Sequence, residues 1–265
     1  MTITTTTTPS DGWRLGGRGG RQRLIPDAAT GELRAYQRTS TFAKTLDDKE
    51  GLISWKAWMA VKGAALHPEL KEQALHAERT PRMVIEELAR IGGANVKRDI
   101  GSDRHTILAM ALSGAALPSL PPEARAEVDA LLRLIESLGT IVALEAPNVC
   151  DEYAVSGSVD LVLEGRDGRT VVCDYKSGGR FDRLAMSIQL IAYARAHYWD
   201  WGTETRLGLV APTRPRLVIL HAPQGGDGPP AAIDLDVDRA KAWADLAVQV
   251  REARREAAKK IKEST

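Results

Sequence analysis

Two acids and a lysine, Asp160 and then Asp174 and Lys176, stand close together in the stretch SGSVDLVLEGRDGRTVVCDYKSG. Carboxylates with water suit a hard divalent cation, and a cation held this way suits hydrolysis of phosphodiesters. Whether these groups can act together depends on the elements that carry them. Residues 158–164 and 169–176 are rich in Val and Leu and flank Gly165-Arg166-Asp167-Gly168, which reads as a hairpin. A two-residue Asp167-Gly168 turn sets Asp160 opposite Tyr175, and an Arg166-Asp167 turn sets it opposite Cys173. Both send the acids to opposite faces. A three-residue loop, with Gly168 left-handed, sets Asp160 opposite Asp174. Hydrophobic patterning favours this last register, because a slip of one residue flips every side chain. Val159, Leu161, Leu163, Val171, Cys173 and Tyr175 then share a core face. Ser158, Asp160, Val162, Glu164, Thr170, Val172, Asp174 and Lys176 share the other, which becomes the face of a site.

Electrostatics explains why such a face implies a metal. Two carboxylates about 4 Å apart repel by roughly 4 kcal/mol at an effective dielectric near 20. Without help, one of them takes up a proton. Lys176 projects to the same side as Asp174 and offsets part of the repulsion, and a dication does so more fully. An isolated D-x-K is more simply an exposed strand pair ending in a salt bridge.

Two further signals flank the hairpin. Residues 180–199 read as a helix with Ala185, Ile188, Leu190, Ile191 and Ala194 at apolar positions, and with Gln189 and Tyr193 four apart on one face. Alone, that pair is a polar edge. Upstream, residues 99–108 read as a small-residue turn entering an apolar helix, with His105 near its start. A lone helical histidine is more often structural than a ligand, and nothing local brings it to the hairpin.

Taken in order, Gly101 to His105, Gly157 to Asp160, Asp174 to Lys176 and Gln189 to Tyr193 resemble the motifs of the PD-(D/E)-x-K nuclease superfamily. The closer likeness is to its RecB-like exonuclease branch, which includes phage and CRISPR-associated exonucleases. The resemblance spans about residues 97–195. The Arg38–Asp48 block is also similar to proteins of actinobacterial phages. The resemblance implies a restriction-endonuclease-like α/β core, with Asp160 and Asp174 as ligands of Mg²⁺ or Mn²⁺ together with the Tyr175 backbone carbonyl and the His105 ring. Lys176 would orient or help deprotonate the attacking water and meet charge on the phosphate. Gln189 and Tyr193 would support the site or touch nucleic acid. Glu145 is a candidate additional ligand and equally an ordinary strand-end charge. The implied activity is a metal-dependent DNA nuclease, an exonuclease of phage or bacterial recombination, replication or repair. DNA is the expected partner, with a recombination or replication protein as a further candidate. A catalytically silent subunit of the same fold and a hydrolase of RNA or nucleotides are the alternatives. Iron–sulfur members of the family need four cysteines, whereas Cys150 and Cys173 are the two present, so no cluster is expected.

Bulk composition fits a single nuclease domain over residues 34–265. Residues 34–138 are expected to be mainly helical, 139–236 to hold a mixed sheet of about five strands with the site helix, and 237–265 to form a charged helix. The helices before residue 139 would wall a cleft around the hairpin. Residues 1–33, rich in Thr, Gly and Arg (Arg14, Arg18, Arg21 and Arg23), are expected to be a flexible tail. Thr80-Pro81 caps a helix to about Ile91, and Pro121-Pro122 opens another with Val128, Leu131, Leu132, Leu134 and Ile135 buried. In residues 49–66, most of Ile53, Trp55, Trp58, Met59 and Val61 are expected in the core, with base stacking as the lesser alternative. A net charge of +1 argues against a uniformly basic coat for DNA but leaves room for a local positive channel. Two cysteines and the absence of a signal or membrane-spanning pattern suit a reducing cytoplasm.

Overall fold

The hairpin takes the three-residue register. In the computed structural model Leu161 pairs with Cys173, Val162 with Val172, Leu163 with Val171 and Glu164 with Thr170. The Gly165 N–H donates to the Arg169 carbonyl at 2.8 Å. Gly168, at φ 76°, supplies the left-handed turn position that a side chain would resist. The structure describes residues 14–15, 21–47, 50–70, 81–94, 96–177, 181–223 and 228–263. Arg18 and the Thr80 cap lie outside them.

Among the described residues, ten strands form one mixed sheet, larger than the expected sheet of about five. They are β1 (Arg14–Leu15), β2 (Arg21–Pro26), β3 (Leu33–Arg38), β4 (Gly139–Cys150), β5 (Val155–Gly165), β6 (Thr170–Ser177), β7 (His197–Asp200), β8 (Thr205–Leu209), β9 (Arg216–Ala222) and β10 (Ala231–Leu235). The helices are α1 (Thr39–Ala43), α2 (Glu50–Leu66), α3 (Pro81–Ile91), α4 (Val96–Leu112), α5 (Pro122–Leu138), α6 (Arg183–Ala194) and α7 (Val237–Glu263). This is the expected α/β class, a mixed central sheet flanked by helices. None of the described helices is long and apolar enough to cross a membrane.

Helices cover both faces of the hairpin. Leu161, Leu163, Val171, Cys173 and Tyr175 pack with Leu131, Ile135 and Leu138 of α5. Val162 and Val172 pack with Ile188 and Ile191 of α6 and with Ala240, Ala244 and Ala247 of α7. The second face is therefore core for most of its length, and the expectation of a whole face given to a site is corrected. Val159 also joins the α6 side rather than the α5 side, so the simple alternation breaks at Asp160.

Three other expectations change. The flexible tail does not reach residue 33, because β2 pairs with β3 around a turn in which Asp27 Oδ1 accepts from the Ala29 and Thr30 N–H groups at 3.0 and 3.2 Å. Ile25 and Tyr36 are buried there with Val149 and Trp199, and this apolar pair outweighs the polar composition around it. The site helix stops at Ala194, and His197–Asp200 is instead a strand pairing with Asn148 and Val149 of β4. Aromatic Tyr198 and Trp199 suit a buried strand better than a helix end. The turn expected near Gly101 is absent, since α4 is continuous and places His105 in mid-helix.

Residues 48–106 form a compact unit of their own. Within it, α2 and α3 touch backbone to backbone: a Cβ on Gly63 would lie 1.9 Å from the Leu88 carbonyl oxygen, and one on Gly92 1.9 Å from that of Met59. The contact runs through small residues, so Ile53, Trp58 and Val61 are left more than half exposed and Trp55 37% exposed. The core role expected of these side chains is not what the unit shows.

Candidate active site

The site lies where one edge of β5 changes partners. β3 runs parallel to the start of β5, pairing Gln37 with Val155 and Arg38 with Ser156. β6 runs antiparallel along its later part, from Leu161 onward. Residues 157–160 fall between the two. β3 and β6 approach this gap from opposite ends, one delivering Arg38 and the other Asp174-Tyr175-Lys176. Such a break in strand order is where open α/β sheets offer a crevice to ligands. Within it the Tyr175 N–H donates to Asp160 Oδ2 at 3.0 Å.

The other edge of β5 brings in Glu145. The flanking pairs Leu144–Leu161 and Ala146–Val159 set it opposite Asp160. Glu145 has φ 47°, a left-handed conformation costing a residue with a Cβ about 1–2 kcal/mol. A carboxylate oxygen of Glu145 and one of Asp160 come within 4.8 Å of each other. The sequence left Glu145 undecided between ligand and strand-end charge, and the sheet register puts it beside the acids.

Asp174 is 1% exposed. Gln189 Nε2 donates to its Oδ1 at 2.7 Å, and the Lys176 ammonium pairs with its Oδ2. Lys176 also donates to the Tyr175 carbonyl at 3.3 Å. Gln189 is held by α6, whose first turn is capped by Asp182 Oδ1 accepting from the Leu184 and Ala185 N–H groups at 2.8 and 3.2 Å. The Tyr175 ring turns to the α5 side, where its hydroxyl donates to Glu127 at 3.4 Å and fixes the strand between two layers. Tyr193, one helical turn beyond Gln189, is buried next to Gly157. His105 stands within α4, in the smaller unit.

The charges are mutually strained. Burial, then the charges of Asp160 and Asp174, push the Glu145 carboxyl up to about 7, although part of the residue remains open to solvent. Burial also raises Asp160, against the opposing pull of Lys176 and the Tyr175 N–H. Burial alone would lower Lys176, but Asp174 and Asp160 outweigh it and hold the ammonium above its ordinary value. Tyr193 is raised well above the usual phenol range by burial and then by the three acids, so it remains a protonated donor. Cys150 and Cys173 are buried free thiols, with burial pushing Cys150 up to about 12 and Cys173 higher.

Clustered carboxylates with raised proton affinity, a backbone carbonyl beside them and one fixed ammonium form a hard-oxygen set suited to a divalent cation such as Mg²⁺ or Mn²⁺. Gln189 steers Asp174 within that set. Its replacement by Ala is expected to weaken metal affinity or turnover by roughly 10–100-fold. Titration of metal against protein fluorescence measures the first and a cleavage assay the second, with unchanged values in both counting against a steering role.

The model of the PD-(D/E)XK nuclease superfamily matches residues 62–264 of the chain. A comparison with curated proteins finds no match.

Proposed function

The chain belongs to the PD-(D/E)XK nuclease superfamily, and on that premise we propose that it is a metal-dependent deoxyribonuclease, an exonuclease serving recombination, replication or repair of phage or bacterial DNA. The observation that supports this most directly is the meeting of Glu145, Asp160, Asp174 and Lys176 at the break in strand pairing along β5.

In this reading the carboxylates of Asp160 and Asp174, joined by Glu145 and the Tyr175 carbonyl, hold Mg²⁺ or Mn²⁺. His105 joins them on the strength of the sequence resemblance. The metal supplies Lewis acidity toward a phosphoryl oxygen and lowers the pKa of bound water. Lys176, kept cationic by its acidic neighbours, orients the attacking water and opposes the negative charge that grows on the phosphate. A raised Lys176 suits this electrostatic task better than proton abstraction. Gln189 fixes the rotamer of Asp174, and Tyr193 keeps its proton for donation to the substrate.

The test offers linear DNA, closed circular DNA and matched RNA in Mg²⁺ or Mn²⁺, with and without EDTA. Linear DNA is expected to be degraded, closed circles to persist, and EDTA to stop the reaction. Cutting of circles would replace exonuclease by endonuclease. A preference for RNA would move the substrate class. No cleavage of any of the three would favour a silent subunit of the same fold.

A further inference from the structure

Within the smaller unit, α3 covers one side of α2 and leaves the other open. The two helices meet at Met59 and Gly63, and Ala60 and Ala64 beside them are partly covered. At 3.6 residues per turn, Trp58 falls on the side away from this seam, and it is 60% exposed. Trp55 stands nearer the seam, one turn before Met59, which accounts for its lower exposure. Val61, three residues after Trp58, is exposed as well. Apolar residues therefore continue round the open side. A helix that is apolar on every side is normally buried, so the open side calls for an occupant.

Lys62 decides what kind. It follows Trp58 by four residues and Trp55 by seven, so in angle it stands between the two indoles, and it is exposed. From Gly51 to Leu66 the helix carries Lys56 and Lys62 and no acid. A protein packed on the indoles would bury the Lys62 ammonium at the centre of its interface, where lysine is depleted. A polyanion instead receives that charge, and a polyanion bearing aromatic bases also uses the indole faces.

We propose that Trp55, Trp58 and Lys62 form a platform for single-stranded DNA, with unpaired bases stacked on the indoles and Lys62 on a backbone phosphate. The inference rests on the nuclease reading of the acids. The strand must be single, because a duplex stacks its bases inward and offers no ring face to an exposed side chain.

The test measures binding of a fluorescein-labelled single-stranded oligonucleotide to the full chain in EDTA, by anisotropy, over a series of salt concentrations. Losing one stacked base weakens binding about 5–150-fold, and Trp58→Ala is expected to show that loss while Trp58→Phe keeps most of the affinity. An abasic strand of equal length retains the phosphates and lacks the rings, so its binding is expected to be the same in W58A and wild type. Lys62→Gln is expected to reduce the slope of log K against log salt by about 0.7. Unchanged affinity of W58A for the normal strand overturns the platform, as does an equal loss on the abasic strand or on a duplex. Sedimentation covers a second copy as the occupant: a dimeric wild type made monomeric by W58A, with DNA affinity unchanged, overturns the platform too. Thermal melts check folding, and if W58A melts early the decision falls to K62Q, where an unchanged slope overturns it. A wild-type chain that neither binds nor cuts DNA overturns the nuclease reading instead, which keeps the two failures distinct.

Discussion

Replacing Asp174 with Asn, or Lys176 with Ala, is expected to reduce DNA cleavage by roughly 10³-fold in either case, while moving stability in opposite directions. Asp174 is buried and held by Gln189 and Lys176. Asn keeps its shape and an acceptor for the Gln189 amide, yet removes one negative charge from a group of three. Metal-free D174N therefore melts at or above the wild-type temperature at pH 8. Lys176→Ala instead takes away the ammonium that Asp174 and Asp160 share. Removing one partner of a fully buried pair costs about 3–5 kcal/mol. With the Lys176 side chain 28% exposed, solvent screens part of that, and a loss of roughly 1–3 kcal/mol is expected. The loss shrinks at low pH as the acids take up protons and no longer need a cation. Urea melts in EDTA at pH 8 and pH 5, alongside cleavage assays, measure all of this. Full cleavage by K176A would remove the role assigned to it. Destabilisation of D174N with K176A unaffected would reverse the electrostatic account.

Much of this centre was legible in the sequence because it depends on local geometry. The loop Arg166-Asp167-Gly168 and the apolar parity of residues 161–175 fix the hairpin register without help from the rest of the chain, although that parity fails at Val159. Gln189 was placed correctly on a helix, but its partner was not, because a helix periodicity gives a face and not what lies beneath it. Glu145 was harder. Its place opposite Asp160 follows from a ladder that begins at Gly139–Gly165 and carries an irregularity between Ile141 and Ala143. A bulge shifts the parity of everything beyond it, and nothing in residues 140–145 announces one. Arg21–Pro26 was lost for a different reason. Its charge reads as a solvated tail until Ile25 finds Tyr36 and Trp199 in three dimensions. Trp55 and Trp58 misled in the opposite sense, since aromatic residues at helical spacing usually pack, whereas Gly63 and Gly92 set the face along which α2 and α3 meet. Local rules carried the hairpin; long-range pairing decided what stands beside it.

Millimolar Mg²⁺ or Mn²⁺ is expected to raise the melting temperature, and to raise it more at pH 8 than at pH 5.5. The sign follows from Glu145. Its carboxyl moves from an ordinary 4.5 to about 7 in the folded chain. Between those values the folded state holds a proton that the unfolded state has released, and stability falls as pH climbs through the window. Asp160 is shifted in the same direction. A cation that uses Glu145 must displace that proton, so below about 7 its apparent affinity falls about tenfold per pH unit for each proton released. Above 7 no such competition remains, while the unscreened acids repel most. A cation at about 100 times its dissociation constant adds roughly 2.7 kcal/mol to folding stability, and the gain at pH 5.5 is correspondingly smaller. Glu145→Gln separates this account from a general effect of salt. The amide has no proton to lose, so the variant's metal-free stability changes less between pH 5 and 7, and its response to metal is weaker and flatter with pH. Sodium chloride at matched ionic strength reproduces none of these differences if the cation is held by the acids. Equal metal-induced shifts at both pH values, or an E145Q response indistinguishable from wild type, would place the binding cation away from the β4–β5–β6 acids.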